Sequence, residues 1–349
     1  METQPKKIIV FCPNWVGDVV MSTPVFTCLR ENYPGSTLIC VIRKYVRNVI
    51  EDGPWFDEIL DYNDKSSTGF IQLVMKIRSI NPDMVILLRN SFRSALIARL
   101  GGAKHIYGYR RDGRSILLSD GPAPDRNKDV YLPGPMVRYY LELCRFLKLR
   151  IPEDTRPALH FSPMIDEKCS RLLERYGITP DDMVIGLNPG AKFGSSKCWS
   201  PGYFAQLAEL FEKHYDCKIL LFVGPGEDEI ARSIMDSSNA RIINTGPDRV
   251  NLSLLKPLVK RCNLLVTNDT GPRHYAVSFD IPTVVIMGPT NPLFTASHLE
   301  KTVVLRNKLD CSPCHEKVCP LTHHNCMNMI SPDDVLQASV KLLKDLKIQ

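Results

Sequence analysis

The residues with the most chemical content lie at Asn268-Asp269-Thr270-Gly271-Pro272-Arg273-His274, where the apolar run Leu264 to Thr267 ends in an acid and a Thr-Gly turn. A helix opening at this turn leaves its first amides without intrahelical partners. Those amides and the positive end of the helix dipole favour phosphate oxygens, while Asp269 can accept hydrogen bonds from hydroxyl groups. An ordinary helix cap, with Asp269 or Thr270 satisfying one amide, would have the same composition. A second polar loop, Asn188 to Pro201, carries Gly190, Lys192, Gly194 and Lys197. Backbone amides and ammonium groups in such a loop suit a diphosphate. It is not a Walker loop, because Gly190 to Gly194 is one residue short and no lysine follows Gly194 directly. A plain surface loop is the alternative reading. In a third loop, Gly224-Pro225-Gly226-Glu227, the acid Glu227 could accept both hydroxyls of a ribose.

The first half of the chain offers different chemistry. After the apolar run Lys6 to Cys12 comes Pro13-Asn14-Trp15-Val16-Gly17-Asp18, with one glycine where a dinucleotide-binding turn needs three. This disfavours a nicotinamide-dependent enzyme. Asp18 can take a proton from an attacking alcohol or simply cap the following helix. Residues 1–150 hold 22 basic and 15 acidic side chains, against 22 and 23 in the rest. Between residues 89 and 114 the bias sharpens: Arg89, Arg93, Arg99, Lys104, Arg110, Arg111 and Arg114 face the single acid Asp112. An anionic partner follows from that distribution. Nucleic acid is not expected, since no helix-turn-helix, RRM or zinc-finger pattern accompanies the charge and aromatic residues are not interleaved with it in a stacking arrangement. A phosphorylated small molecule or an anionic lipid head group fits better.

Twelve cysteines are present. Four of them, Cys311, Cys314, Cys319 and Cys326, form a C-x2-C-x4-C-x6-C run with His315, His323 and His324 interspersed, which could close around a structural zinc or stand as free or redox-paired thiols. The run Ile8 to Cys12 is only strand-sized, so no signal-peptide core is read there and a cytoplasmic protein with reduced thiols is expected.

These loops need a frame that brings them to one edge. Short apolar runs at Lys6 to Cys12, Leu38 to Ile42, Met84 to Leu88 and His105 to Tyr109 alternate with helix-like stretches at Val19 to Asn32, Val46 to Glu51, Phe70 to Ser79, Phe92 to Leu100 and Leu132 to Leu149. The Pro-containing stretch Ile151 to Pro163 interrupts the series. Strands are then expected at Met183 to Leu187, Lys218 to Val223, Arg241 to Asn244, Leu264 to Thr267 and Thr283 to Met287, with helices at Ile165 to Tyr176, Pro201 to His214, Asp228 to Ser237, Leu252 to Arg261 and Pro272 to Phe279. Ser331-Pro332-Asp333-Asp334 opens a closing helix. The expectation is an α/β protein of two Rossmann-like, doubly wound parallel-sheet domains, residues 1–160 and 161–330, with a closing helix over 331–349. Ligands of such sheets gather beyond the carboxyl ends of the strands, and paired domains offer a cleft. An activated, diphosphate-bearing sugar held by the second half and an anionic acceptor held by the first is the logic of a nucleotide-sugar glycosyltransferase with the GT-B arrangement.

Cys12-Pro13-Asn14-Trp15-Val16-Gly17-Asp18-Val19-Val20-Met21-Ser22-Thr23-Pro24, Pro189-Gly190-Ala191-x-Phe193-Gly194, Lys197-x-Trp199 and Asn268-Asp269-Thr270-Gly271-Pro272-x-His274 together resemble the lipopolysaccharide heptosyltransferases of glycosyltransferase family nine, the type II enzymes most. The resemblance implies inverting transfer of L-glycero-D-manno-heptose from ADP-heptose to the inner core of lipopolysaccharide, at the cytoplasmic face of the inner membrane and with no metal required for the chemistry. It implies Asp18 as general base and Lys197 as the cation meeting the departing diphosphate. Lys192, Glu227, Asp269, Thr270, Gly271 and His274 fall on the donor side, His274 one helical turn behind the others. Arg89, Arg93, Arg110, Arg111 and Arg114 would then hold the lipid-linked acceptor. A transferase of another activated sugar, or a sugar-nucleotide-binding or epimerase-like protein, is the competing reading.

Overall fold

The computed structural model describes residues 4–62, 66–127 and 130–348. The chain divides into two compact units, Met1–Ala158 with Leu293–Ser297, and Leu159–Pro292 with His298–Gln349.

The first unit is built on five parallel strands, β1 (Lys7–Phe11), β2 (Thr37–Arg43), β3 (Glu58–Tyr62), β4 (Met84–Leu87) and β5 (His105–Gly108), in the order β3-β2-β1-β4-β5. Within their charged or polar ends the central strands are unbroken apolar runs, because helices cover both faces of the sheet. Ile9, Phe11, Val41, Val85 and Leu87 accordingly join one core with Leu73, Ile77 and Ala98. The expected single helix over Val19 to Asn32 is two, α1 (Val16–Met21) and α2 (Thr23–Asn32), parted at Ser22, whose hydroxyl is turned back to the Val19 carbonyl at 2.8 Å. Helices α3 (Ser67–Ile80), α4 (Phe92–Leu100) and α5 (Met136–Phe146) complete the unit, with a small antiparallel hairpin of β6 (Arg126–Asn127) and β7 (Val130–Tyr131). The stretch Val46 to Glu51 is a 3-10 turn over Lys44–Val49.

The second unit repeats the scheme with β8 (Met183–Asn188), β9 (Cys217–Leu221), β10 (Ile242–Asn244), β11 (Leu264–Asn268), β12 (Thr283–Ile286) and β13 (Thr302–Leu305), all parallel, in the order β10-β9-β8-β11-β12-β13. Its helices are α6 (Pro163–Arg175), α7 (Pro201–His214), α8 (Asp228–Asp236), α9 (Leu255–Arg261), α10 (Gly271–Ser278), α11 (Asn325–Asn328) and α12 (Pro332–Asp345). Helix α12 begins in a full capping box, Ser331 with Asp334, and sends Val335, Leu342 and Leu343 into the same core as Leu187, Phe204 and Val266. The closing helix is therefore part of the second unit.

Strand order locates the functional edge. In the first sheet the chain reverses its winding between β1 and β4, and in the second between β8 and β11. At such a switch point the loops leaving two adjacent strands run to opposite faces and open a crevice. The segments that leave these four strands carry Asp18, Arg89, Lys197 and Asp269.

Candidate active site

In the second unit, β11 delivers Asp269 to the sheet edge and α10 starts two residues later. Thr270, the residue before the helix, makes no side-chain cap; its hydroxyl accepts from Asn188 Nδ2 at 3.0 Å, so the helix start is not closed by its own side chain. Asn268 ties the two switch-point loops together, donating to the Pro189 carbonyl at 2.6 Å and accepting from the Trp199 amide at 3.1 Å.

Asp269 is the hub. Its Oδ1 accepts from Arg273 Nη1 at 2.8 Å, and its Oδ2 accepts from Lys197 Nζ at 2.9 Å and from the Thr290 hydroxyl at 2.7 Å. Lys197 also donates to the Asp269 carbonyl at 2.9 Å. The carboxylate is 7% exposed and Arg273 is 1% exposed. Burial by itself would raise the Asp269 pKa; Arg273, Lys197 and the Thr290 hydroxyl outweigh it and hold the group far below the usual carboxylate range. An acid so firmly ionised is a poor proton acceptor near neutral pH. One carboxylate between two cations also leaves a unit of positive charge in the pocket.

His274, next along α10, is pushed down to about 3 by burial, with the Arg273 charge adding to the effect, so its imidazole is neutral. Glu227 lies against the loop that follows β8: its Oε2 accepts from the Gly224 amide at 2.7 Å, and a Cβ on Gly190 would fall 1.9 Å from its Oε1. Gly190 is thus a glycine because a carboxylate rests on it. Burial raises the Glu227 pKa, partly countered by the Gly224 amide and by Lys192, whose own side chain is exposed. Loops holding Lys197, Asp269, Thr270 and Gly271 come together, with Glu227 on the neighbouring turn. Arg273 and Thr290 were not singled out from sequence. The i, i+4 spacing of Asp269 and Arg273 on one helical start was the available signal for the first.

In the first unit Asp18 lies in the first turn of α1, which is capped at Trp15 without any side-chain hydrogen bond, so Asp18 is not the cap. Its Oδ1 accepts from the Tyr140 hydroxyl at 3.2 Å. Tyr140 projects from α5 and is buried; burial and the adjacent Asp18 carboxylate push its phenol well above the ordinary value, keeping it a donor. Tyr140 has no sequence signal beyond its place on an amphipathic helix.

The five arginines do not form one surface. Arg114 is 0% exposed and spends its guanidinium on the Tyr109 carbonyl at 2.9 Å, the Arg89 carbonyl at 2.5 Å and Asn90 Oδ1 at 2.8 Å. Burial pushes it down to about 10. Its expected contact with an acceptor is corrected: it braces the loops after β4 and β5. Arg89 donates to Tyr62 Oη at 2.6 Å, and Arg93 lies over the Phe70 ring at 4.8 Å. Arg111 pairs with Asp112 at 2.9 Å and stacks on Tyr131 at 3.8 Å, while Arg110 is exposed with Asp120 at 3.9 Å.

The four clustered cysteines are free thiols. Burial raises the Cys326 pKa, and the neighbouring Cys314, Cys319 and Cys311 add to it. Among the described residues no group of three or more His, Cys, Asp or Glu is gathered as metal ligands. No helix of the described chain is long and apolar enough to cross a membrane.

The fold, with both sheets and their helices, is that of GT-B glycosyltransferases. The solved structure of a family 9 glycosyl transferase from Veillonella parvula superposes with a TM-score of 0.84 at 25% identity over 99% of both chains. The structure of the Escherichia coli ADP-heptose lipopolysaccharide heptosyltransferase II gives 0.79 at 25% identity, over 98% of this chain and 99% of that one. A curated relative, lipooligosaccharide heptosyltransferase 2 of Campylobacter jejuni, is 28% identical over 97% of this chain and 99% of its own. The family model "Glycosyltransferase family 9 (heptosyltransferase)" matches residues 70–325, and the chain belongs to that family.

Proposed function

We propose that this enzyme moves L-glycero-D-manno-heptose from ADP-heptose to the inner core of lipopolysaccharide with inversion at the anomeric carbon. Names of full-length relatives support the donor and the acceptor. The observation that carries the donor side is the Asp269 network, a site with a surplus positive charge at a strand-to-helix switch point. In the proposed reaction an acceptor hydroxyl attacks the anomeric carbon, its proton passes to the Asp18 carboxylate, and the bond from that carbon to the diphosphate oxygen breaks. Lys197 and the start of α10 meet the charge that builds on the leaving ADP. Asp269 holds Lys197 and Arg273 in place and keeps acceptor capacity for a heptose hydroxyl. Glu227, with Lys192 nearby, faces the ribose side. Arg89, Arg93, Arg110 and Arg111 serve the anionic groups of the acceptor, whose lipid places the enzyme against the inner membrane surface on the cytoplasmic side.

The test is a transfer assay with ADP-heptose and truncated lipid A cores bearing no heptose or one heptose. The expected result is one ADP released per heptose added to one of these acceptors, with UDP-sugars inert. Turnover of a different sugar nucleotide, with none of ADP-heptose on either core, would overturn the reading.

A further inference from the structure

The cysteine- and histidine-rich segment, Cys311 to Cys326, is not absorbed by the reaction above. Its contacts are specific. The Ser196 amide donates to the Lys317 carbonyl at 3.0 Å, the Ser196 hydroxyl donates to the Glu316 carbonyl at 2.5 Å, and the Ser196 carbonyl meets His324 Nε2 at 2.7 Å. A carbonyl only accepts, so His324 carries its proton on Nε2 in this contact. Every polar atom of Ser196 is therefore held by the segment, and Ser196 immediately precedes Lys197.

The same segment grips the loop that carries Thr290. Ser312 Oγ donates to the Gly288 carbonyl at 2.7 Å, and the His315 amide donates to the Pro289 carbonyl at 2.8 Å. Close packing accompanies both grips. A Cβ on Gly194 would stand 2.2 Å from the Lys317 carbonyl oxygen, and one on Gly288 would stand 2.7 Å from Cys326 Sγ. Three non-glycine residues of the segment, His315, Thr322 and His324, hold left-handed backbone at φ of 60°, 59° and 52°. That conformation is disfavoured for residues with a Cβ and persists only where surrounding contacts outweigh it.

Lys197 and Thr290 are the two groups that reach Asp269 Oδ2, and both loops that deliver them are clamped by this one segment. We propose that Cys311 to Cys326 is a positioning clasp for the donor site, acting through His324 and the Glu316 and Lys317 carbonyls on Ser196 to fix where Lys197 meets the donor diphosphate. The inference rests on the proposed reading of Lys197 as the diphosphate cation. His324 is a positioning residue, acting through the Ser196 carbonyl beside Lys197.

The experiment compares His324→Ala, His324→Gln and Gly194→Ala in two readouts, ADP binding by calorimetry and steady-state transfer. His324→Ala is expected to weaken ADP binding about 5-fold and lower kcat/KM for ADP-heptose about 10- to 100-fold, with the acceptor KM unchanged. Gln restores an N–H donor and should return both within about threefold of wild type. Gly194→Ala should reproduce the loss, because the new methyl forces the loop from the segment. In a Lys197→Ala background, His324→Ala should add less than twofold, since both act on one contact. Unchanged ADP binding in His324→Ala, or a full additional loss in the Lys197→Ala background, would overturn the clasp. Wild-type protein that binds ADP but transfers no heptose would instead overturn the heptose reading, and the ADP affinities of the variants would still decide the clasp. Wild-type protein that binds no ADP would overturn both.

Discussion

Asp269 of the second unit is ringed by Arg273, Lys197 and Thr290 at 2.7 to 2.9 Å, whereas Asp18 of the first unit is met by the Tyr140 hydroxyl at a longer 3.2 Å. Both acids leave a parallel sheet beside its switch point. One is held as a permanent anion by two cations; the other accepts from the neutral Tyr140 phenol. The difference fits two tasks. Holding a charged leaving group calls for fixed charge that does not titrate, while taking a proton calls for a carboxylate placed to reach the attacking hydroxyl.

The contrast breaks most visibly at Asp269. Asp269→Ala takes the carboxylate away from buried Arg273 and from Lys197, which is expected to cost about 3–5 kcal/mol. Donor turnover should fall below detection and the unfolding midpoint of the second unit should drop; a variant with wild-type melting would show that Asp269 is not the hub described. Linkage gives the matching pH effect. Because the folded pKa of Asp269 is depressed, its contribution to stability is present above the ordinary carboxylate range and is lost as pH falls through and below it. Arg114→Ala in the first unit comes next in size. It strands two backbone carbonyls and Asn90, so a loss of about 2–4 kcal/mol is expected, read by denaturant unfolding, with the acceptor KM following stability.

Much of this was legible in the sequence, for identifiable reasons. Buried parallel strands read as unbroken apolar runs, so β1, β2, β4, β8 and β11 stood out, and helix α7 was read to the residue because Pro201 opens it and His214 ends it. Edge strands β3 and β13 escape the sequence reading: Glu58–Tyr62 is interrupted by the charged Glu58 and Asp61, and Thr302–Leu305 is only four residues between Lys301 and Arg306. Charge counting found the basic stretch after β4 but could not tell Arg114 from Arg110. Burial separates them, and burial depends on where β5 ends and Tyr109 turns. Arg273 and Tyr140 escape the sequence reading because their importance comes from reaching an acid, Asp269 within a helical turn for the first and Asp18 over a hundred residues away for the second.

Tyr140→Phe sharpens the comparison at smaller scale. The hydroxyl donates to the Asp18 carboxylate at 3.2 Å, and removing it takes away a contact that orients the base. kcat/KM is expected to fall about 3- to 10-fold, the worth of one hydrogen bond, with donor affinity unchanged. An unchanged kcat/KM would separate Tyr140 from the base. The smallest effect is expected at Arg110, whose exposed side chain gives Arg110→Ala a stability change within about 0.5 kcal/mol. Its acceptor KM should rise a few-fold at low ionic strength and approach wild type as salt is added.

The division of labour between the two acids is tested most directly by Asp18→Asn, assayed in single turnover with ADP-heptose and the accepted core while ADP binding is followed in parallel. The expected result is transfer slowed about 10²- to 10⁴-fold with ADP affinity within threefold of wild type. Transfer at a rate near wild type would contradict Asp18 as the proton acceptor and with it the separation of base and donor site between the two units.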